Sequence, residues 1–259
     1  MTTLTIAAAQ TISIAGDLQA NINRHRRFIE IAAGQGVQLL VFPELSLTGY
    51  ERSLAATLAI LPNDPVLQPL RDFARELGVT TVVGMPIRLS GDSEVLIGAL
   101  VLATDGSLAV YSKQHLHPGE ELAFAPGAGG SMLTLGNTTV ALAVCADFSH
   151  ASHARQAADS GADLYAAGVL ISENGYVADT ALLQGYAVEH SMTVLMANHG
   201  GATGGWESAG RSAIWAPGGE LIVAAAGVGD ALVIARHDAA GWTGQVVAVT
   251  QIDECRDGL

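Results

Sequence analysis

Short apolar runs alternate with amphipathic stretches along most of the chain, a pattern that predicts strands interleaved with helices. LTIAAAQ reads as a buried strand. In GDLQANINRHRRFIEIAAGQG, Leu18, Ile22, Ile29 and Ala33 recur at helical spacing, with Asp17 placed to cap the start and Gly34 or Gly36 the end. VQLLVF is a second strand, NDPVLQPLRDFARELG a second helix bounded by Asp64-Pro65 and Gly78, and VTTVVGM a third strand. EVLIGALVLATDGSLAVYS then sets an Asp-Gly turn between two apolar runs, which is a hairpin signal.

Residues 113–130 break the pattern with two prolines and four glycines, and predict a loop with at most a short helix. Beyond it, TTVALAV, ADLYAAGVLI and TVLMAN read as strands separated by the helices SHASHARQAADSG and TALLQGYAVEH. AIWAPGGELIVAA and DALVIARHD close the chain with a hairpin-like pair around Pro217-Gly218-Gly219. No repeat, low-complexity segment or linker divides the sequence, so residues 1–259 read as a single domain. Helices between strands, interrupted by hairpins, most simply give an α/β fold of two sheets with helices on their outer faces.

Composition narrows the partners. A formal net charge of −13, from 25 acidic against 12 basic residues, argues against binding a phosphate backbone, so no nucleic-acid partner is expected. No stretch approaches the ~20 apolar residues of a membrane span, and MTTLTIAAAQ lacks the order of a signal peptide; the expected address is the cytoplasm. Cys145 and Cys255 are too few for a disulfide framework, and Cys255, in a polar tail, is given no role.

Three reactive side chains stand directly after apolar runs: Glu44 after LLVFP, Lys113 after LAVYS and Cys145 after VALAV. Sites in α/β proteins gather at the carboxyl ends of strands, and pairing Glu44 with Lys113 relieves the cost of isolating either charge. Taken singly, each has an ordinary reading: Cys145 as a small buried side chain, Glu44 as a helix-start carboxylate, Lys113 as a solvated loop residue.

Their context changes that balance. LLVFPELSLTGY, YSKQHLHPGEELAFAPG and VALAVCADFSHASHARQAADSGADLYAAG, in this order, resemble the nitrilase superfamily of carbon–nitrogen hydrolases. IAAAQTISIAGDLQANI is similar to that family's opening strand with its Gln, and GRSAIWAPGGELI to its late strand-turn-strand. The resemblance implies a four-layer α-β-β-α sandwich that pairs into a homodimer, with a Glu-Lys-Cys triad on Glu44, Lys113 and Cys145. It also implies a second glutamate in a Glu-x-x-x-aromatic-x-Pro-Gly pattern. Glu120 meets that pattern with Phe124, Pro126 and Gly127 in register, Glu121 being the less suitable neighbour. GYAVEHSMTVLMAN is similar to a family segment with a structural Glu and Asn, here Glu189 and Asn198.

The implied chemistry needs no cofactor and no metal. Glu44 is the base, and Cys145 attacks as a thiolate favoured by Lys113 and by backbone N–H groups at a strand-to-helix turn. Lys113 and the Ala146 N–H hold the developing oxyanion, and Glu120 orients Lys113 or the leaving group. Where the family commonly has an aromatic or polar residue, Asp or Glu, and later Pro-Glu, this chain has Ala146, Asp147 and FSHASHARQ. The Trp-Glu usual in the nitrilase subgroup is absent, which favours an amidase acting on a small-molecule amide over a nitrilase; a carbamoyl amide is a further alternative. Tyr50, Asp147 and Gly168 are the candidate substrate-binding residues, with Ala166 and Ala167 beside Gly168 implying little bulk in the pocket.

Rival readings use the same cysteine. Cys145, Asp147, His150 and His153 offer thiolate, carboxylate and imidazole within nine residues, ligand types that suit zinc at a spacing that matches no common zinc pattern. A Cys-His hydrolase using His150 or His153 leaves Glu44 and Lys113 unexplained. A non-catalytic scaffold on the same fold is the alternative of another class. GGATGG, residues 200–205, matches no phosphate-binding pattern and reads as a flexible loop, and His115 and His117 could touch substrate although solvated loop histidines are the default.

Overall fold

The structure, a computed structural model, describes residues 3–250; Cys255 lies outside them. The chain runs β1 (Leu4–Gln10), α1 (Leu18–Gly34), β2 (Leu39–Val41), α2 (Ala55–Leu58), α3 (Gln68–Leu77), β3 (Thr80–Ile87), β4 (Leu96–Leu102) and β5 (Leu108–Ser112). It continues through β6 (Leu133–Leu135), β7 (Thr138–Val144), α4 (Ala151–Asp159), β8 (Leu164–Val169), α5 (Tyr176–His190) and β9 (Thr193–Asn198). It ends with β10 (Ala213–Trp215), β11 (Leu221–Ala224), β12 (Ala231–Asp238) and β13 (Gly241–Ala248). A seven-stranded sheet has the order β13-β12-β1-β2-β3-β4-β5 and a six-stranded sheet the order β11-β10-β9-β8-β7-β6. The centres β1-β2-β3 and β7-β8-β9 pair in parallel, and antiparallel strands flank both.

Period-two burial in the strands creates the layers. Ile6 and Ala8 of β1 meet Val140, Leu142 and Val144 of β7 in a core between the sheets. Ala7 and Ala9 face the other way, onto Phe28 and Ile29 of α1 and Leu70 and Ala74 of α3. Ala141 and Ala143 likewise turn outward to Ala154 of α4 and Leu183 of α5. Three cores therefore separate four layers, giving an α-β-β-α sandwich. No helix among the described residues is long and apolar enough to cross a membrane.

Local signals set most boundaries. Asp17 accepts a hydrogen bond from Ala20 N at 3.0 Å and Asp64 from Val66 N at 2.9 Å, while Gly78 ends α3 at φ 69°. Several elements depart from the sequence reading, among them α2 and β6, which it does not name. The residues after Asp64 begin as a 3-10 turn, Pro65–Leu67, before α3. Helix α5 starts at Tyr176, one turn before Thr180. Strand β13, which the hydrophobic pattern does not announce, pairs along the whole of β12; as an edge strand with mostly exposed side chains it carries little alternation.

Candidate active site

Glu44 stands in the turn after β2, and that turn threads a slot between the sheets. A Cβ on Gly84 of β3 would come 2.4 Å from Leu45 N, and one on Gly168 of β8 would come 2.6 Å from the Phe42 carbonyl oxygen. Only glycine lets main chain pass so close. Leu45 takes φ 52°, and His199 Nε2 donates to the Glu44 carbonyl oxygen at 2.7 Å. Burial pushes the His199 pKa down to about 4 and keeps that imidazole neutral. Cys145, at the end of β7, takes φ 43° and opens a 3-10 turn, Cys145–Ser149. Left-handed backbone of this kind costs a non-glycine residue about 1–2 kcal/mol.

These turns bring residues distant in sequence together. Lys113, directly after β5, donates from Nζ to Glu44 Oε1 at 2.6 Å and to Glu120 at 2.8 Å, and all three side chains are fully buried. Glu120 is saturated: the Tyr50 hydroxyl donates to Oε1 at 2.6 Å and the His117 N–H to Oε2 at 2.7 Å. Glu44 Oε2, in contrast, is buried without a hydrogen-bond partner among the described residues. The Cys145 thiol adjoins that carboxylate, with its sulfur 3.7 Å from the Leu170 carbonyl oxygen.

Burial pushes the Glu44 pKa up to about 7, Lys113 opposing and Glu120 reinforcing the rise. Burial alone would lower Lys113, but the charges of Glu44, Cys145 and Glu120 outweigh it and hold the ammonium above its ordinary value. Burial and the Glu44 charge raise the Cys145 thiol well above its ordinary value, against Lys113. Burial thus favours the thiol at Cys145 over the thiolate that its place at a helix start suggests, because desolvation outweighs the dipole of one short turn.

Cys145 opens onto a cavity of about 280 Å³ whose walls include Tyr50, Phe148, Leu170, Ile171 and Trp206, with Glu44, Ser172 and Asp179 among its polar groups. Asn198 holds that wall in place. It accepts from Ile171 N at 2.9 Å and donates to the Ile171 and Gly210 carbonyl oxygens at 3.0 and 2.9 Å.

The family model described as carbon-nitrogen hydrolase matches residues 5–244. The chain belongs to that family. It is 31% identical over 153 residues to a glutamine-dependent NAD(+) synthetase of Thermotoga maritima, covering 57% of this chain and 26% of that protein. It is 33% identical over 152 residues to a nitrilase of Pyrococcus abyssi, covering 56% of this chain and 57% of that one. The chain therefore spans about a quarter and somewhat over half of the length of these curated relatives. Among solved structures it resembles an amidase from Nesterenkonia sp. AN1, a variant with acrylamide added at the active-site cysteine by Michael addition. The TM-score is 0.82 at 30% identity, over 89% of this chain and 92% of that one. The nitrilase-superfamily resemblance and the α-β-β-α sandwich read from the sequence stand together with these findings.

Several residues of this carbon–nitrogen hydrolase lie elsewhere than the sequence suggests. Asp147 does not line the cavity; it is fully buried and accepts from the Tyr111 hydroxyl at 2.7 Å, Val144 N at 3.0 Å, Gln114 N at 3.0 Å and His115 N at 2.9 Å. It fastens the loop after Lys113 to the turn after β7, and His115, read as solvated, is part of that knot. Gly168 is likewise not in the cavity wall; it and Ala166 face the core between the sheets, and Ala167 faces the helical layer. Glu189 is exposed on α5 and makes no hydrogen bond or ion pair among the described residues, so it braces nothing there. GGATGG forms a clasp, in which Thr203 Oγ1 accepts from Tyr50 N at 2.8 Å and Gly204 rests against the Tyr50 carbonyl.

The metal and Cys-His arrangements are not assembled. His153 is bonded at both ring nitrogens, to the Tyr111 and Tyr165 hydroxyls at 2.8 Å each, and His150 stacks on His115 with centroids 3.8 Å apart. Neither histidine lines the cavity. Among the described residues, no group of three or more His, Cys, Asp or Glu is placed to hold a metal. His117, Asp179 and Trp206 do line the cavity, yet no local sequence signal distinguishes them from ordinary loop and helix-start residues.

Proposed function

We propose that this carbon–nitrogen hydrolase is an amidase that cleaves a small-molecule amide through a Cys145 acyl-enzyme and releases ammonia. The observation that carries the reading is Lys113 held between Glu44 and Glu120 while Glu44 Oε2 is left without a hydrogen-bond partner beside the thiol. Glu44 takes the thiol proton as sulfur attacks the amide carbon. A carboxyl whose pKa lies at about 7 suits a base and then an acid at neutral pH. Lys113 Nζ and the N–H of Ala146, in the first turn after the strand, stabilise the oxyanion, a contribution of about 3–4 kcal/mol for each such donor.

Collapse of the adduct passes the proton from Glu44 to the nitrogen, ammonia departs and a thioester remains. Water activated by Glu44 then attacks the thioester, releasing the carboxylic acid and restoring the thiol. Glu120 does not take part in proton transfer; with both oxygens occupied it positions Lys113, and Tyr50 and the His117 main chain position Glu120. The likeness to an amidase carrying a cysteine adduct supports this choice over a nitrilase.

The test is intact-mass measurement and ammonia assay after exposure to short amides, carbamoyl compounds and nitriles, with wild type and Cys145→Ala compared. Acyl adducts or ammonia release from amides that require the thiol are expected. Equal adducts in both proteins would remove the nucleophile from the scheme, and turnover confined to nitriles would replace the amidase with a nitrilase.

A further inference from the structure

Asp179 sits in the first turn of α5, half-buried, on the wall of the cavity that holds Cys145. Among the described residues its carboxylate makes no hydrogen bond or ion pair. A first-turn carboxylate is favoured by the helix dipole, which accounts for an aspartate near this terminus. It does not account for an unbonded carboxylate on the wall of this cavity. Gly175 makes room for it: a Cβ there would lie 2.8 Å from Asp179 Oδ2 and 3.7 Å from the Ser172 hydroxyl. Burial raises the Asp179 pKa, with His117 opposing the rise.

The rest of the cavity suits a cation. None of its described lining residues is a lysine or arginine. Trp206 stands in the same wall and offers an aromatic surface of the kind that attracts organic cations. The net charge of −13 draws cations toward the protein. At about 280 Å³ the space lies at the small end of ligand cavities, which span roughly 300–1,000 Å³.

We propose that Asp179, in a cavity that Trp206 also lines, is the recognition site for an ammonium group at the far end of a short acyl chain, so that the preferred substrates are aminated aliphatic amides. This rests on the amidase reading above and names its substrate class. The chain's amide carbon lies at Cys145, its methylenes lie along Phe148, Leu170 and Ile171, and its ammonium pairs with Asp179.

The test compares 5-aminopentanamide with hexanamide, which exchange a terminal ammonium for a methyl group. Ammonia release gives kcat/KM for wild type and Asp179→Asn. Wild type is expected to favour the aminated amide at least about tenfold. Asp179→Asn is expected to lose about 10- to 100-fold on it, the span of one charge-assisted contact, while hexanamide changes by less than about threefold. The hexanamide rate also reports whether the variant folds. Equal losses on both amides, or no wild-type preference, overturn the proposal while leaving the hydrolase intact. Calorimetric binding of both amides to Cys145→Ala separates the remaining cases. An Asp179-dependent preference in binding without ammonia release keeps the recognition site and removes the amidase, whereas no binding and no turnover of the aminated amide overturn the site.

Discussion

The part of the cavity that carries Glu44, and behind it Lys113 and Glu120, differs in kind from the wall that runs from Leu170 to Asp179. In the first, charges are fully buried and bonded to one another, and one carboxylate oxygen is left over beside Cys145. In the second, the main chain is pinned through Asn198, but Asp179 projects a half-buried carboxylate with no hydrogen-bond or ion-pair partner among the described residues. The contrast separates two tasks. Under the proposed mechanism, groups that move protons are held by other groups of the protein, whereas the group proposed to read substrate is left for the substrate to satisfy.

The largest expected effect comes from breaking the first region at its centre. Lys113→Met leaves Glu44 and Glu120 facing one another without a cation, and is expected to destabilise the fold by about 3–5 kcal/mol and to abolish turnover, as measured by urea unfolding and ammonia assay. An active and stable Lys113→Met would show that the buried carboxyls are not charged together. Glu44→Gln keeps the shape and removes the base; kcat/KM is expected to fall about 10²- to 10⁴-fold with little change in stability.

The pH profile sharpens the same assignment. In the proposed mechanism the ionised form of Glu44 is the base, and its fraction grows as pH rises through about 7. Wild-type kcat/KM should therefore climb about tenfold per pH unit below that point and level off above it. Glu44→Gln should lack this limb, and a limb that persists in the variant would assign it to another group. Asp147→Asn comes next. It turns an amide N–H₂ toward buried donors now satisfied by a carboxylate, with an expected loss of about 2–3 kcal/mol by urea unfolding and a fall in kcat at nearly constant KM. The smallest effect on stability belongs to the other wall: Asp179→Asn should stay within about 0.5 kcal/mol of wild type.

What could be read from the sequence follows from how far each residue's partners lie along the chain. Glu44, Lys113 and Cys145 each follow an apolar run at once, so a strand-end position could be assigned to each without knowing the others. Asp147 could be found but not understood, because Gln114 and His115, whose N–H groups it accepts, come from a loop 33 and 32 residues earlier. A bare glycine at 168 is equally compatible with a roomy pocket and with close passage of main chain, and only the neighbouring sheet decides between them. Asp179 was hidden for another reason: the hydrophobic pattern starts the helix at Thr180, which leaves the aspartate in irregular chain, and nothing local marks the cavity beside it.

The slot bounded by Gly84 and Gly168 has one more implication. Glu44 rides on a ribbon of backbone that hydrogen-bonds to β3 of its own sheet and passes close against Gly168 of the other, so its position depends on how closely the two sheets dock as well as on its own sheet. Turnover should accordingly vanish in any partly opened form that still retains both sheets, making enzymatic rate a gauge of their docking rather than of secondary structure content.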